Sequence, residues 1–501
     1  MPLPKPRHDL EPNTAAYETN PVVTPTGFRE YDARWLYPEQ INLLGVQALG
    51  MGLGTLIHEM GVRPAIVVGH DYRSYSQAIK QSLTVGLMAA GIEVHDIGLA
   101  LSPTAYFAQF ELDVPCVAMV TASHNENGWT GVKMGANRPL TFGPVEMTRL
   151  KEIVLGGLYE ERKGGGYTAV SDMRERYIAD LTKDVRLDRP IKCVAACGNG
   201  TAGIFAEEVL KAIGADVIAV DCEPDYTFPR YNPNPEDMKM LNAISVAVKE
   251  HGAEVGLAFD GDGDRCGVVD NEGHEIFADI VGVMIARDLS EQHENAQFVV
   301  DVKSTGLFLT DPVLKANGVK TDYWKTGHSY IKRRANELNA IAGIEKSGHY
   351  FFNPPIGRGY DDGLIAAMTI LNMLDRNPGK SIADLNRELP KTWNSPTMAP
   401  YCADETKYDV VDKAVAHFQG IADRGEEILG QKIRDVLTVN GIRIVLEDGT
   451  WGLVRASSNK PSLVVVVESP ASEENMRGMF KVIEAHLATY DDIGEYDQKL
   501  D

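Results

Sequence analysis

Four times along this chain a helix-like stretch runs into a glycine and a short apolar segment follows: Gly91-Ile92-Glu93-Val94, Gly214-Ala215-Asp216-Val217, Gly252-Ala253-Glu254-Val255 and Gly318-Val319-Lys320. A glycine just past a helix carboxyl end supplies the left-handed residue that closes the last turn. The recurrence predicts repeated helix–strand units around parallel or mixed sheets, an α/β fold. Further strands are expected at residues 65–68, 194–196, 298–300 and 463–467. The repetition is structural, because no sequence repeat of fixed period accompanies it. At 501 residues the chain exceeds the roughly 250–300 residues at which single cores stop growing, so it should hold several domains. Gly156, Gly157 and residues 164–166, ahead of a helix expected around 171–181, mark one boundary. A second is expected near 271–278 and a third near 390–400, where Pro and Asn interrupt a helical stretch.

Two stretches carry chemistry. Residues 114–120 read as a buried strand, and Thr121-Ala122-Ser123-His124-Asn125 follows it, with Lys133 eight residues further on. Strands of such sheets deliver functional groups at their carboxyl ends, so Ser123 stands where a nucleophile would be exposed, among His124, Asn125 and Lys133. Residues 253–259 read as another strand, and Asp260-Gly261-Asp262-Gly263-Asp264-Arg265 follows. Burying three unpaired carboxylates together is prohibitively costly, so they require a cation. A three-carboxylate cage with room for a phosphate suits Mg²⁺. An EF-hand loop opens in the same way, but it needs Gly at its sixth position and Glu at its twelfth, where this chain has Arg265 and Asn271.

Composition excludes several classes. The formal charge of −22 argues against nucleic-acid or anionic-membrane partners, which demand a basic face. The six cysteines are scattered without a C-x-x-C pair and read as reduced core residues. The polar, Pro-rich start lacks an apolar signal core, and no apolar run approaches the roughly 18 residues needed to span a bilayer. A cytoplasmic location is expected.

These motifs resemble the α-D-phosphohexomutase superfamily, most closely its bacterial phosphomannomutase/phosphoglucomutase branch. Ser123 matches the phosphoserine loop, and Asp260, Asp262 and Asp264 match the Mg²⁺ loop. The segment around Tyr31 and Arg34, the sugar loop Glu345-Lys346-Ser347-Gly348-His349 and the phosphate loop Arg455-Ala456-Ser457-Ser458-Asn459 follow in family order. Asp301-Val302-Lys303 and Trp324-Lys325-Thr326-Gly327-His328 also resemble that branch. The resemblance implies four domains around a central cleft, three related α/β domains with mixed sheets and a smaller C-terminal α+β domain. Their expected bounds are 25–168 for the phosphoserine domain, 169–274 for the metal-binding domain, 275–393 for sugar recognition and 394–501 for phosphate binding. Residues 1–24 form an irregular extension.

The resemblance also implies the reaction. A phosphate on Ser123 passes to O6 of a hexose 1-phosphate, and the resulting 1,6-bisphosphate returns its other phosphate to Ser123. It implies Mg²⁺ on Ser123, Asp260, Asp262 and Asp264, with glucose 1,6-bisphosphate (or mannose 1,6-bisphosphate) as activator. Ser123, His124, Lys133, Arg34 and His328 are the candidate catalytic residues, and Lys133, His328 and His124 the candidate bases. Tyr31, Arg34, Arg265, Lys303, His328, Glu345, Lys346, Ser347, Gly348, His349, Arg455, Ser457, Ser458 and Asn459 are expected to bind a phosphosugar. The sequence departs from the family pattern at Trp35 and Ile344, where members carry Gly, and at Ser458, Asn459 and Lys460. A dual phosphomannomutase/phosphoglucomutase is the first reading. A phosphoglucosamine mutase is the alternative, and a serine phosphomonoesterase a more distant one.

Overall fold

All four helix-closing glycines adopt positive φ, at 79° for Gly91, 104° for Gly214, 60° for Gly252 and 68° for Gly318. A strand begins two or three residues after each. The computed structural model describes residues 3–458 and 460–500. The chain divides into two units. The first comprises Met1–Ala278, Ala335–Ala342 and Ser347–Ala383, and the second Asp279–Arg334, Gly343–Lys346 and Asp384–Asp501.

In the first unit, a six-stranded sheet has the order β1-β5-β4-β2-β3-β6. Its strands are β1 (Ala33–Leu36), β2 (Ala65–His70), β3 (Glu93–Leu99), β4 (Cys116–Val120), β5 (Trp129–Gly135) and β6 (Gly166–Ala169). β2 runs parallel to β3 and β4, β6 runs parallel to β3, and β5 lies antiparallel to β4 and β1. Every residue of β4 is buried, which is why its Cys-Val-Ala-Met-Val run is apolar on both faces. Helices Leu43–Glu59, Ser76–Ala89 and Pro144–Gly156 share one core with this sheet. A second sheet, order β11-β10-β9-β7-β8, contains β7 (Lys192–Ala196), β8 (Asp216–Val220), β9 (Val255–Phe259), β10 (Cys266–Asp270) and β11 (Glu275–Ile276). β7 is parallel to both β8 and β9, whereas β10 is antiparallel to β9. The glycines at 164–166 lead into the edge strand β6, which the polar sequence there did not suggest.

The extension before residue 25 is more ordered than expected. It contains a short helix, Ala15–Thr19, capped by the Thr14 hydroxyl. The amide of Asn42 donates to the carbonyls of Tyr17 and Asn20, each at 2.8 Å. Five residues are too few for helical periodicity to register in sequence.

In the second unit, β12 (Gln297–Asp301) runs parallel to β13 (Lys320–Trp324). Short strands β14 (Ala342–Ile344) and β15 (Tyr350–Phe352) follow in the chain, β15 belonging to the first unit. The C-terminal sheet of this unit has the order β16-β21-β20-β19-β18-β17. It comprises β16 (Trp393–Asn394), β17 (Glu427–Ile428), β18 (Gln431–Leu437), β19 (Ile442–Leu446), β20 (Trp451–Ala456) and β21 (Leu463–Ser469). All its pairings are antiparallel, and helices Lys407–Arg424 and Glu473–Leu487 pack into its core. β16 straddles the expected boundary at 393/394, with Trp393 opposite Ser469. Arg443 joins this sheet to the β12–β13 region. Its guanidinium lies 3.7 Å from the Trp451 ring centre and 4.5 Å from that of Tyr323, and it donates to the carbonyls of Val302 (2.9 Å) and Ser304 (2.7 Å). No helix among the described residues is long and apolar enough to cross a membrane.

The two C-terminal helices bring a histidine pair face to face. The rings of His417 and His486 stack with centres 3.8 Å apart, and burial followed by the His417 charge pushes His486 down to about 4. The unfolded chain takes up this proton near pH 6.5, while the folded chain resists it until about pH 4. Stability from this group is therefore complete above pH 6.5 and is lost as pH falls through that window. After solvent screening the expected loss is on the order of 1 kcal/mol. Urea titrations at pH 7.5 and 5.0 check it: His486→Gln should be the less pH-sensitive protein, and equal sensitivity would refute the coupling.

Candidate active site

Ser123 stands three residues past β4 in a left-handed backbone conformation, with φ 52°, which costs a non-glycine residue on the order of 1 kcal/mol or more. Its surroundings hold it there. The Ser123 amide donates to Thr121 Oγ1 at 2.8 Å, and Thr121 Oγ1 donates to Asp71 Oδ2 at 2.9 Å. Arg73, ion-paired with Asp71, donates through Nη2 to the carbonyls of Ser123 (2.9 Å) and Asn125 (2.6 Å). Asn232 donates to the carbonyl of His124. Sequence reasoning missed this clamp. Asp71 and Arg73 follow β2, the parallel neighbour of β4, and nothing local distinguishes them from an ordinary polar turn.

The hydroxyl of Ser123 is directed at the acidic loop. Ser123 Oγ donates to Asp260 Oδ2 at 2.9 Å and lies 3.3 Å from His124 Nδ1. The structure explains both glycines between the aspartates. A Cβ on Gly261 would lie 2.5 Å from the Ser123 carbonyl oxygen, and Gly263 has φ 72° with Leu101 against it. Ser102, at the start of helix Ser102–Glu111, donates through its hydroxyl (2.5 Å) and its amide (3.0 Å) to Asp262. Lys133, on β5, donates to Asp262 Oδ2 at 2.7 Å and also to Asp264.

All three carboxylates are fully buried, and each offers an oxygen to one cluster within 4.8 Å. Asp262 Oδ1 and Asp264 Oδ1 have no hydrogen-bond partner. Buried, unpartnered carboxylate oxygens are costly, so this donor set fits a hard divalent cation. Burial, then the charges of Asp262 and Asp264, push the Asp260 carboxyl well above its ordinary range. Burial acts on Asp262 in the same sense, but the Lys133 charge and hydrogen bond outweigh it and hold Asp262 low. Burial lowers Lys133, yet the two aspartates raise it well above the usual lysine value. His124 is pushed well below its ordinary value by burial and then by the charges of Arg265 and Arg34, which favours the neutral imidazole.

Arg265 and His349 close this side of the site. Arg265 Nε donates to His349 Nε2 at 3.0 Å, so the ring proton resides on Nδ1, which lies 3.1 Å from Asp361 Oδ2 and 3.6 Å from Asp264 Oδ1. The amide of Cys266 donates to the carbonyl of Gly348 at 3.0 Å. Arg265 thus sets the tautomer of a predicted sugar-loop residue, and Asp361, twelve residues downstream of His349, faces its protonated nitrogen, a role invisible in the sequence. Arg34 pairs with Asp32 at 2.9 Å and reaches Asn125 Oδ1 at 3.4 Å. Tyr31 is buried nearby in the chain.

The first unit therefore holds Tyr31, Arg34, Ser123, His124, Lys133, the three aspartates, Arg265, Ser347, Gly348 and His349, and the second holds Lys303, His328, Glu345, Lys346, Arg455, Ser457 and Ser458. In the second unit Asp301 is a hub. It accepts from Ser304 Oγ (2.6 Å), Thr326 Oγ1 (3.1 Å) and the Lys346 amide (3.4 Å), and lies 3.8 Å from Lys303 Nζ. Glu345 Oε1 accepts the amide of Gly327 at 2.7 Å, just ahead of the helix His328–Glu337 that opens with the buried His328. Arg455, buried on β20, donates to Asn440 Oδ1 (3.1 Å) and the Ala456 carbonyl (2.8 Å). Lys407 Nζ donates to the carbonyl of Ser457 at 2.6 Å, and Ser457 Oγ accepts the Lys460 amide at 3.2 Å. Asn459 lies outside the described residues.

A strand-end serine hydrogen-bonded to a buried three-carboxylate cage, on mixed sheets with parallel centres, places this chain among the α/β phosphotransferases. Four family models match it in order: phosphoglucomutase/phosphomannomutase α/β/α domain I over residues 25–159, domain II over 175–273, domain III over 278–393 and the C-terminal domain over 405–485. It is 32% identical to a phosphomannomutase/phosphoglucomutase of Pseudomonas putida, covering 90% of this chain and 93% of the relative. It is 30% identical to a phosphoglucomutase of Neisseria meningitidis, covering 91% and 96%. A crystal structure of a phosphoglucomutase/phosphomannomutase family protein from Burkholderia thailandensis superposes with a TM-score of 0.84 at 28% identity, covering 93% of this chain and 98% of that one. The chain belongs to the phosphoglucomutase/phosphomannomutase family of phosphoryl-moving mutases, with its four-domain architecture.

Proposed function

We propose that this protein reversibly interconverts hexose 1-phosphate and hexose 6-phosphate, with mannose and glucose as sugars, through a phosphoserine at Ser123 and a hexose 1,6-bisphosphate. The observation that carries the proposal is Ser123 Oγ at 2.9 Å from Asp260 Oδ2, at the mouth of a cage with unpartnered oxygens on Asp262 and Asp264. Ser123, Asp260, Asp262 and Asp264 would hold Mg²⁺, which supplies Lewis-acid polarisation of a phosphoryl oxygen when bound.

Such transfer rests on positioning and charge neutralisation. The Asp71–Arg73 clamp fixes the serine backbone, so the phosphoryl group needs no loop reorganisation to face its acceptor. Transfer breaks the bond from Ser123 Oγ to phosphorus and forms one to the sugar O6, whose proton leaves to a base. The second half runs in reverse from O1. Lys133 and Arg265 supply positive charge around the serine. Lys303 and His328 bind the phosphosugar. Tyr31, Arg34 and the loop Glu345-Lys346-Ser347-Gly348-His349 recognise the sugar, its hydroxyls meeting Glu345 and Ser347. Arg455, Ser457, Ser458 and Asn459 grip the phosphate that is not being transferred, and a hexose 1,6-bisphosphate primes the serine. The domain limits 25–168, 169–274, 275–393 and 394–501 are part of this reading.

A coupled assay with mannose 1-, glucose 1- and glucosamine 1-phosphate, each primed with glucose 1,6-bisphosphate, tests it. Mannose and glucose should be turned over best. Preference for glucosamine would make the protein a phosphoglucosamine mutase, and release of inorganic phosphate without isomerisation would make it a phosphomonoesterase. Arg455 gives a sharper check. Contact with the non-transferring phosphate is shared by ground and transition states, so its loss raises KM and leaves kcat largely alone. Removing a charge-assisted contact worth about 1.5–3 kcal/mol should raise KM roughly ten- to a hundred-fold in Arg455→Ala. An unchanged KM would remove Arg455 from the binding surface.

A further inference from the structure

The mechanism uses none of the six cysteines, yet two that are 25 residues apart in sequence touch: Cys222 Sγ lies 3.5 Å from Cys197 Sγ. Cys197 follows β7 and Cys222 follows β8, parallel neighbours in which Ala196 stands opposite Val220. Asp221, at φ 50° and held by Arg230 at 2.9 Å, turns the chain so that the Cys222 sulfur also lies 3.3 Å from the Ala195 carbonyl. Cys222 is partly exposed, whereas Cys197 and the other four cysteines are buried. An accessible thiol beside a buried one is the arrangement of an attacking and a resolving cysteine.

The pair sits at the root of the loop that supports the metal cage. The Gly200 amide donates to the Cys197 carbonyl at 2.8 Å, the Asn199 amide to the Asp221 carbonyl at 2.7 Å, and the Thr201 amide to the Gly261 carbonyl at 3.2 Å. A Cβ on Gly200 would lie 3.1 Å from the Gly261 Cα. Gly261 stands between Asp260 and Asp262.

We propose that Cys197 and Cys222 are a peroxide-sensitive dithiol that closes to an intramolecular disulfide, and that closure disturbs the adjoining metal loop. The Cys222 thiolate attacks hydrogen peroxide: an S–O bond forms, the O–O bond breaks, and the leaving hydroxide takes a proton to become water. Cys197 then attacks the Cys222 sulfenic sulfur, forming S–S and breaking S–O, and its proton departs with a second water. Two thiols lose two electrons and peroxide is reduced to two waters. The hydrogen bond between the two thiols outweighs burial and lowers Cys222 below the ordinary thiol value, which favours the attacking thiolate. The sulfurs must close from 3.5 Å to about 2.05 Å, and that movement is delivered to the 197–201 loop.

The test treats the full-length protein with a few equivalents of hydrogen peroxide, blocks free thiols, and maps peptides without reduction. A Cys197–Cys222 cross-link is expected, with loss of two thiols per chain, reversal by dithiothreitol, and no cross-link in Cys222→Ser or Cys222→Ala. Mutase activity should fall several-fold on oxidation, recover with dithiothreitol, and resist peroxide in Cys222→Ser. Stable sulfinic acid at Cys222, or retention of all six thiols, would overturn the dithiol. A cross-link that leaves activity unchanged would overturn its coupling to the metal loop. The cross-link is read by mass and stands whatever sugar the enzyme prefers.

Discussion

Replacing Ser123 by alanine is expected to lower mutase turnover roughly 10⁴- to 10⁶-fold, the scale on which enzymes lose rate when a covalent nucleophile is removed. The substitution is unusually clean. The clamp on this loop acts on main-chain atoms, because Arg73 holds the Ser123 and Asn125 carbonyls and Thr121 accepts the Ser123 amide. None of these contacts needs the hydroxyl. What alanine loses is the 3.3 Å contact with His124 Nδ1 and the 2.9 Å hydrogen bond to Asp260, the latter worth about 1.5–3 kcal/mol for a charged partner. The variant should fold, and its circular dichroism should match wild type. Intact-mass analysis of wild type should show one phosphate on the Ser123 peptide, removable by sugar phosphate and absent from the variant. An alanine variant with near-normal turnover would rule out the covalent intermediate.

Removing the divalent cation should be nearly as severe. Chelation with EDTA is expected to abolish activity, and added Mg²⁺ to restore it, because Lys133 alone cannot balance three buried carboxylates and a phosphate. Lys133 pairs with Asp262 and Asp264, whereas Asp260 accepts from the serine hydroxyl and from the amides of Asp264 and Arg265 and has no ion pair with this lysine. The cation should also be visible in stability. At a hundredfold excess over its dissociation constant, a ligand of the folded state adds about 2.7 kcal/mol, so the melting temperature of wild type should rise with Mg²⁺. In Asp262→Asn that rise should largely vanish, since the neutral amide keeps its one oxygen toward the Ser102 and Lys133 donors and sets an NH2 group where the unpartnered Oδ1 stood. Full activity after exhaustive chelation would exclude the cation from the reaction, and an Mg²⁺-independent melting temperature would exclude it from the cage.

Much of this protein was legible in its sequence. The glycine that closes each helix ahead of a strand is a local event, governed by one residue's left-handed conformation, so the α/β class and the strand positions could be read residue by residue. Asp260, Asp262 and Asp264 declared themselves for a similar reason: the unfavourable charge of three spaced carboxylates is a property of the sequence itself. Only the tertiary structure decided what holds these groups in place. Asp71 and Arg73 act on Ser123 across some fifty residues of chain because β2 and β4 are parallel neighbours. Ser102 reaches Asp262 over a longer separation, and Gly261 must be glycine because the Ser123 backbone passes 2.5 Å from where its Cβ would stand. The tautomer of His349 depends on Arg265, with Asp361 facing the protonated nitrogen, and the contact of Cys197 with Cys222 on a turn at the ends of β7 and β8. Spacing along the chain encodes local conformation and local charge. Hydrogen bonds between distant segments exist only once packing has set the register of one strand against another.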